Sequence, residues 1–247
     1  MKAKIELTNR TVEVDFTQPI DISLPLGTNP NSTSAWYVPP VSIEPVRAET
    51  FIGDVNQGGS VNFNNIRFNP HGNGTHTECV GHISSKHESI NEHLKRFLFT
   101  AKLISVQPEL RGEDEVITLS QMKSLVLESI DAVIIRTLPN TDEKLTKQYS
   151  NTNPAYIEKE AITYLNDLKV DHILIDLPSI DREEDEGLLS AHHEFWNYPE
   201  DPQLHKTITE FIYVPTKVDD GFYLLNLQIA PFENDASPSK PVLYKIL

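Results

Sequence analysis

Cysteine and long apolar runs are scarce in this chain of 247 residues. Its lone cysteine, Cys79, has no partner for an intramolecular disulfide, which excludes a disulfide-stabilised scaffold. No segment approaches the roughly 18 consecutive apolar residues that a membrane-spanning helix needs. The first residues alternate between polar and apolar types and form no apolar signal core, so the sequence predicts a cytoplasmic protein with no membrane partner.

Basic residues are in the minority. There are 21 Lys and Arg against 36 Asp and Glu, which gives a formal net charge of -15 at pH 7. Such a surface repels phosphate backbones and anionic lipid, which argues against nucleic acid as a partner. The hydrophobic share of 38% is that of a globular protein. Since the chain has no internal repeat and no linker-like segment, we predict one domain over residues 1–247.

Short apolar runs that alternate with amphipathic segments predict a mixed α/β fold. Runs 131–138 and 172–177 are typical of buried parallel strands, and a helix beginning at Asn153 and Pro154 connects them. This order predicts a βαβ unit within a mixed sheet. The other predicted elements are a hairpin over 4–16 with its turn at 8–10, strands at 60–68, 98–106, 211–215, 222–229 and 242–246, and helices at 89–97 and 120–128, the latter capped by Ser120.

The densest group of reactive side chains lies between residues 71 and 82. Three histidines and one carboxylate occur there among glycines: His71, His76, Glu78 and His82. Imidazole nitrogens and carboxylate oxygens are ligands that suit Zn²⁺, Mn²⁺ and Fe²⁺. In an extended segment His76 and Glu78 point the same way, because side chains repeat every second residue. The pattern favours a divalent metal site over a histidine-rich surface loop.

A second group follows the later of the two predicted parallel strands, a place where α/β sheets often bind ligands. Its adjacent histidines, His192 and His193, cannot easily face one point together, so one of them is the candidate ligand. Asp176 and Asp181 are either residues of this site or residues that stabilise a turn. Glu210 stands among β-branched and aromatic residues, where it either faces water or is paired or metal-bound, since burying a lone carboxylate is costly.

Other catalytic chemistries lack their signatures. No G-x-S-x-G elbow occurs, which argues against a hydrolase of the nucleophile-elbow class. The pair Gly58 and Gly59 is not followed by the GK[ST] of a phosphate-binding loop. Cys79 lies between two candidate site residues, and we expect it to pack in the core and not to act as a nucleophile.

Two tryptophans are candidates for stacking on an aromatic substrate. Trp36 lies in a proline-rich segment over 25–45 that excludes helix, and it either anchors this loop in the core or forms a pocket wall. Trp196 follows the second reactive group. We predict both as substrate-binding residues.

The run from Gly74 to Glu78, with His82 four residues later, resembles the H-x-G-T-H-x-D-x-x-x-H signature of the metal-dependent cyclase family. That family includes bacterial kynurenine formamidase and isatin hydrolase. Further pieces occur in the same order and at similar spacing: residues 21–25, 175–181, 191–192, 210 and 225–231. The resemblance implies a swivelling β/β/α fold with a mixed sheet, one or two divalent ions (zinc or manganese), and hydrolysis of a C–N amide-type bond.

The resemblance also implies roles for individual residues. His82 stands where the family has its catalytic base, and the implied metal ligands are His76, Glu78, His192 and Glu210. The sequence departs from the signature in two places. The first histidine of the signature is replaced by Gly72, so His71 serves as a ligand only if the loop carries one extra residue. Glu78 replaces the aspartate.

The implied reaction is a hydrolysis in which a metal lowers the pKa of bound water from 15.7 to roughly 7. The resulting hydroxide attacks an amide carbonyl, and His82 takes a proton and returns it to the leaving nitrogen. An aryl formamide such as N-formylkynurenine and a cyclic amide such as isatin are both compatible substrates. A non-catalytic metal- or ligand-binding relative and a purely structural zinc site are the alternatives. Because family members associate, we expect a homo-oligomer, either a dimer or a tetramer.

Overall fold

The computed structural model of the chain describes residues 1–7 and 10–246. Its strands are β1 (Lys2–Leu7), β2 (Arg10–Asp15), β3 (Ile20–Asp21), β4 (Ser42–Pro45), β5 (Arg47–Ala48), β6 (Phe51–Ile52), β7 (Asn64–Arg67), β8 (His76–Glu78), β9 (Leu98–Val106), β10 (Glu109–Arg111), β11 (Asp114–Ile117), β12 (Ala132–Thr137), β13 (Tyr156–Ile157), β14 (His172–Ile175), β15 (Thr207–Glu210), β16 (Gly221–Asn226), β17 (Ala236–Pro238) and β18 (Val242–Lys245). The α-helices are α1 (Ile90–His93), α2 (Leu119–Leu125), α3 (Lys159–Asp167) and α4 (Ser190–Trp196). Short 3₁₀ helices cover Val55–Gln57, Val80–His82 and Asp142–Leu145.

A large mixed sheet forms the centre of the described part of the chain. Its nine strands lie in the order β17-β8-β15-β14-β12-β9-β16-β18-β3. The middle strands β15, β14, β12 and β9 run parallel, and the strands on both sides of them pair antiparallel. Helices α2, α3 and α4 lie in the crossovers between the parallel strands, as parallel pairing requires. The predicted mixed α/β fold and its βαβ unit, β12-α3-β14, are therefore confirmed.

The central strands are buried on both faces. In β12 the side chains of Val133 and Ile135 pack against helices α2, α3 and α4, whereas Ala132 and Ile134 enter a second core on the other face. This two-sided burial explains why the strand reads as a continuous apolar run without alternation. Cys79 belongs to the second core and is completely buried, in line with the expected packing role.

Two predicted elements differ from the structure because tertiary pairing decides the backbone. The helix predicted from Asn153 begins only at Lys159, since Asn153 has φ +45° and residues Tyr156–Ile157 pair with β11 as a strand. The strand predicted at 211–215 lies earlier, as β15, and ends where Phe211 adopts φ +54°.

Other boundaries also shift. Helix α1 covers only part of 89–97, because Leu94 is already extended. Helix α2 is capped by Thr118 instead of Ser120, and Thr118 forms a capping box with Gln121. The strand predicted at 60–68 is limited to β7. The predicted hairpin is present as β1 and β2, but residues 8 and 9 of its turn lie outside the described residues. Within the described ranges, no helix combines the length and apolarity needed to cross a membrane.

Candidate metal centre

Strand β8 brings the two reactive groups of the sequence together. It lies between β15 and β17, and the register pairs His76 with Glu210 and Glu78 with Ala236. His76 and Glu78 occupy alternate positions of β8, as predicted from their spacing. Helix α4 brings His192 to the same point, where its Nε2 lies 3.1 Å from Glu78 Oε1.

The side chains meet at short distances around Glu78. His71 Nδ1 and His82 Nδ1 lie 3.1 and 3.7 Å from Glu78 Oε2. His76 Nε2 lies 3.3 Å from Glu210 Oε2. Four histidines and two carboxylates, all predicted from the sequence as site residues, therefore converge on one place: His71, His76, Glu78, His82, His192 and Glu210.

In three of these histidines, the ring nitrogen that does not face Glu78 or Glu210 lies against another oxygen. His76 Nδ1 lies 3.0 Å from the carbonyl of Gly74, and His192 Nδ1 lies 2.6 Å from Asp181 Oδ2. His71 Nε2 lies 2.7 Å from Asp235 Oδ2. A hydrogen bond at the outer nitrogen leaves the lone pair of a neutral imidazole on the inner one. This is the arrangement found around histidines that bind metals.

Several buried atoms at the centre have no hydrogen-bond partner among the described residues. These atoms are His76 Nε2, Glu78 Oε2 and Glu210 Oε1. Leaving buried polar atoms unpaired is costly, and a bound cation is a partner that would satisfy atoms of this kind. The donor set of imidazole nitrogen and carboxylate oxygen fits zinc, manganese or iron(II). The residues present therefore fit a divalent metal.

The electrostatics of the centre are dominated by mutual ion pairing. Burial opposes ionisation of Glu78, but the imidazoles of His82 and His192 outweigh it and hold its pKa well below the ordinary value. Burial and the nearby Glu78 raise the pKa of Glu210. Burial alone would lower the pKa of His71 and of His192, yet their carboxylate partners raise both to about 10. A metal must displace these protons in order to bind.

The donor atoms form overlapping groups that share residues. One group consists of His71, His76 and Glu78, and another of Glu78, His82 and His192; within each, the ligand atoms lie within 4.8 Å of one another. Glu78 belongs to both groups: its Oε2 faces His71 and His82, and its Oε1 faces His192. The geometry is therefore compatible with one ion or with two ions that share Glu78.

Comparison with known proteins decides the family. The Cyclase family model matches residues 14–182. The chain belongs to the Cyclase family. A kynurenine formamidase from Bacillus cereus is 24% identical over 232 residues, which cover 92% of this chain and 97% of that protein. The membership predicted from the motif between Gly74 and His82 is thereby confirmed.

Solved structures of the Cyclase family share the fold. A protein described as a "predicted metal-dependent hydrolase" from Bacillus stearothermophilus superposes with a TM-score of 0.64 at 17% identity, covering 92% of this chain and 98% of that one. An isatin hydrolase bound to the product analogue thioisatinate gives a TM-score of 0.66 at 16% identity, covering 93% of each chain. These likenesses confirm the cyclase-like fold that the motif implied.

The departure from the Cyclase signature at position 72 has a steric cause. A Cβ placed on Gly72 would lie 2.5 Å from Val38 Cγ2 and 2.9 Å from the carbonyl oxygen of Ala35. Because this contact leaves no room for a side chain, position 72 cannot carry the histidine of the signature. His71, one residue earlier, reaches the cluster instead.

A cavity of about 390 Å³ opens onto the cluster. Its lining combines site residues with loop residues: Trp36, Val38, Asn69, His71, His82, Pro178, Ser179, Arg182, Glu183, Asp185, Leu189, His192 and Glu210. This volume suits a small molecule. Trp36 is partly buried against the helical core and also lines the cavity, so the two alternatives for this residue both apply.

Trp196 does not lie where a substrate-binding residue was expected. It is completely buried on helix α4, and its indole nitrogen donates a hydrogen bond to the carbonyl of Lys206. Its ring centroid lies 5.4 Å from that of His192, and Trp196 is not among the residues that line the cavity. Direct substrate contact by Trp196 is not supported, because its side chain is completely buried in the core.

The remaining candidates are also resolved. His193 Nδ1 lies 3.0 Å from the carbonyl of Tyr198, so His192 is the histidine that joins the cluster. Asp181 accepts hydrogen bonds from the His192 ring and backbone. Asp176 is bound instead by Lys144 and Thr137, away from the cluster.

Sequence reasoning missed Asp235. Its carboxylate lies 2.7 Å from His71 Nε2 and 3.6 Å from His82 Nδ1. The residue reaches the cluster because β17, which follows it directly, pairs with β8. The motif ends at His82, and an aspartate 153 positions later carries no local pattern that links it to the motif.

Proposed function

We propose that the protein is a metal-dependent hydrolase that cleaves a C–N amide-type bond, with an aryl formamide such as N-formylkynurenine as the substrate class. The observation that carries the proposal is the convergence of unpartnered imidazole and carboxylate atoms directly beneath a small-molecule cavity that His71, His82, His192 and Glu210 line. The similarity to kynurenine formamidases over nearly the whole chain supports the amide-type bond.

Residues of the buried side of the cluster would hold the cation. His76, Glu78, His192 and Glu210 supply its ligands, and His71 adds a further nitrogen. When bound, the cation lowers the pKa of water and polarises the substrate carbonyl. The carboxylates of Glu78 and Glu210 together match the charge of one divalent ion.

His82 is the proton-transfer residue in this proposal. Its side chain is 31% exposed and lines the cavity, so it reaches both solvent and a bound substrate. It takes a proton from the attacking water and delivers it to the leaving nitrogen. Trp36 offers a face against which an aryl ring can stack.

The test uses purified protein loaded with Zn²⁺ or Mn²⁺ and assayed spectrophotometrically with N-formylkynurenine and, in parallel, isatin. Turnover of the formamide, lost on chelation and restored by metal, is the expected result. Turnover of isatin alone would assign the cyclic-amide alternative. Full metal content without turnover of any amide, lactam or ester would contradict the proposal and favour a non-catalytic binding protein.

A further inference from the structure

Asp235 occupies a position that the Cyclase motif does not explain. It stands in a loop that is fixed to the motif by backbone hydrogen bonds, because its carbonyl accepts from the N–H of Cys79 at 3.0 Å. The neighbouring carbonyl of Asn234 accepts from Ile90 at 2.8 Å. The carboxylate is thus held beside the motif by the register of β17 on β8.

Close packing brings Asp235 near the residues around His82. A Cβ on Gly81 would lie 3.1 Å from Asp235 Cβ and 2.2 Å from the carbonyl oxygen of Glu88. Only glycine at position 81 allows this approach without a shift of the backbone. Asp235 therefore lies against the motif by direct packing.

His71 needs a partner that fixes its ring. It occupies the position before Gly72 and lies on an irregular loop with its side chain 21% exposed. A histidine there can rotate about its side-chain bonds unless both nitrogens are engaged. Asp235 Oδ2 engages Nε2 at 2.7 Å, and this hydrogen bond directs Nδ1 toward Glu78 Oε2 at 3.1 Å.

We propose that Asp235 is a positioning residue that makes the displaced His71 a metal ligand, by accepting a hydrogen bond from Nε2 and leaving Nδ1 to the cation. The proposal rests on the metal-dependent function proposed above. A carboxylate that holds the outer nitrogen of a ligand histidine typically contributes 10–100-fold to metal affinity, by fixing the ring and increasing its basicity. Asp235 thus compensates for the histidine that cannot stand at position 72.

The test is a Zn²⁺ titration of the full chain, first stripped of metal, in competition with a chromophoric chelator. We expect Asp235→Asn and His71→Ala each to weaken Zn²⁺ binding by about 10–100-fold. The double variant should bind no more weakly than His71→Ala, because Asp235 acts only through His71. Asp167→Asn, the same replacement at an exposed helix position, is the matched control and should bind as wild type does.

Two further measurements separate this role from a structural one. The metal-free Asp235→Asn protein should keep the far-ultraviolet circular dichroism spectrum of wild type, and its Co²⁺ absorption spectrum should differ from that of wild type because the ligand geometry changes. If the asparagine variant does not fold, the same Zn²⁺ titration is carried out with Asp235→Ser.

Three results would overturn the proposal. These are wild-type affinity in Asp235→Asn, a double variant that loses the product of both single effects, and a chain that binds no Zn²⁺ at all. The second result would make Asp235 an independent ligand. Because the titration needs no substrate, a protein that binds Zn²⁺ but hydrolyses nothing contradicts the proposed function and leaves this inference standing.

Discussion

The metal cluster has a buried half and an exposed half that carry the same chemical groups. The inner half comprises the side chains that are at most 4% exposed: His76, Glu78, His192 and Glu210. The outer half comprises the side chains that are 21–31% exposed: His71, His82 and Asp235. Regular elements carry the inner half, namely β8, β15 and α4, whereas loops and a 3₁₀ turn carry the outer half.

Burial gives the two halves different capacities. The inner half contains the unpartnered atoms, which a cation would satisfy, and water cannot easily replace that cation as a partner. The outer half is more exposed, and its His71 and His82 line the cavity, where protons exchange with solvent and substrate. Under the proposed function, the inner half would hold the metal and His82 of the outer half would transfer the proton, and each half can be tested by itself.

His76→Ala is the change with the largest expected effect. It removes one of the proposed inner ligands of the cation, so both metal content and turnover should be lost. The loss of affinity should exceed the roughly 10–100-fold typical for an outer partner of a ligand. Metal analysis and the formamide assay check this, with His205→Ala, an exposed histidine, as the control. Full metal content in His76→Ala would contradict the assignment of metal binding to the inner half.

His82→Ala tests the outer half. Proton transfer by a positioned side chain typically contributes 10²–10⁴-fold to rate, so kcat should fall by about that factor. Metal content should remain that of wild type, because the inner half is intact. Steady-state kinetics with metal analysis of the same sample checks both. Wild-type turnover would refute the base assignment, and loss of metal would move His82 to the ligands.

Asp181→Asn allows a direct comparison of the two halves. Asp181 binds the ring of His192 in the inner half, and Asp235 binds the ring of His71 in the outer half. The inner carboxylate lies 2.6 Å from its histidine and also accepts two backbone N–H groups, which fix it rigidly. We expect a loss of Zn²⁺ affinity near the upper end of the 10–100-fold range, and a smaller one for Asp235→Asn. The reverse order in the chelator titration would show that burial does not decide the strength of such a pair.

The inner half was also the part of the site that the sequence predicts best. His76 and Glu78 follow the alternation of a strand, and the pairing of β8 with β15 then brings Glu210 to them. Local periodicity and motif spacing are sufficient to predict that such residues belong to the site. The apolar runs of β12 and β14 likewise predict the parallel strands at the centre of the sheet, because such a run is a local pattern of the sequence.

The parts that escaped prediction depend on contacts between distant segments. Asp235 joins the site through the register of β17, and Gly72 replaces histidine because Val38 and Ala35 occupy the space. Trp196 is turned into the core by the orientation of α4. None of these facts has a signal within its own stretch of sequence.

The smallest expected effect is a loss of stability at acid pH. It can be assigned to the sheet beneath the inner half independently of the metal cluster. His172 begins β14, and burial lowers its pKa from 6.5 to about 3 although Asp131 opposes this. The unfolded chain therefore binds more protons between these values, and the folded state loses stability as pH falls below 6.5. Between pH 7.5 and 5.5 this single group should cost about 1.4 kcal/mol.

Urea unfolding of wild type and His172→Gln at both pH values measures the effect, since contributions of the cluster cancel in the difference between the two proteins. The free energy of unfolding of wild type should fall by about 1.4 kcal/mol more than that of the variant. His87→Gln, at an exposed histidine, should behave as wild type does. If wild type and His172→Gln lose stability equally on acidification, the acid sensitivity lies in the cluster and not in the sheet that supports it.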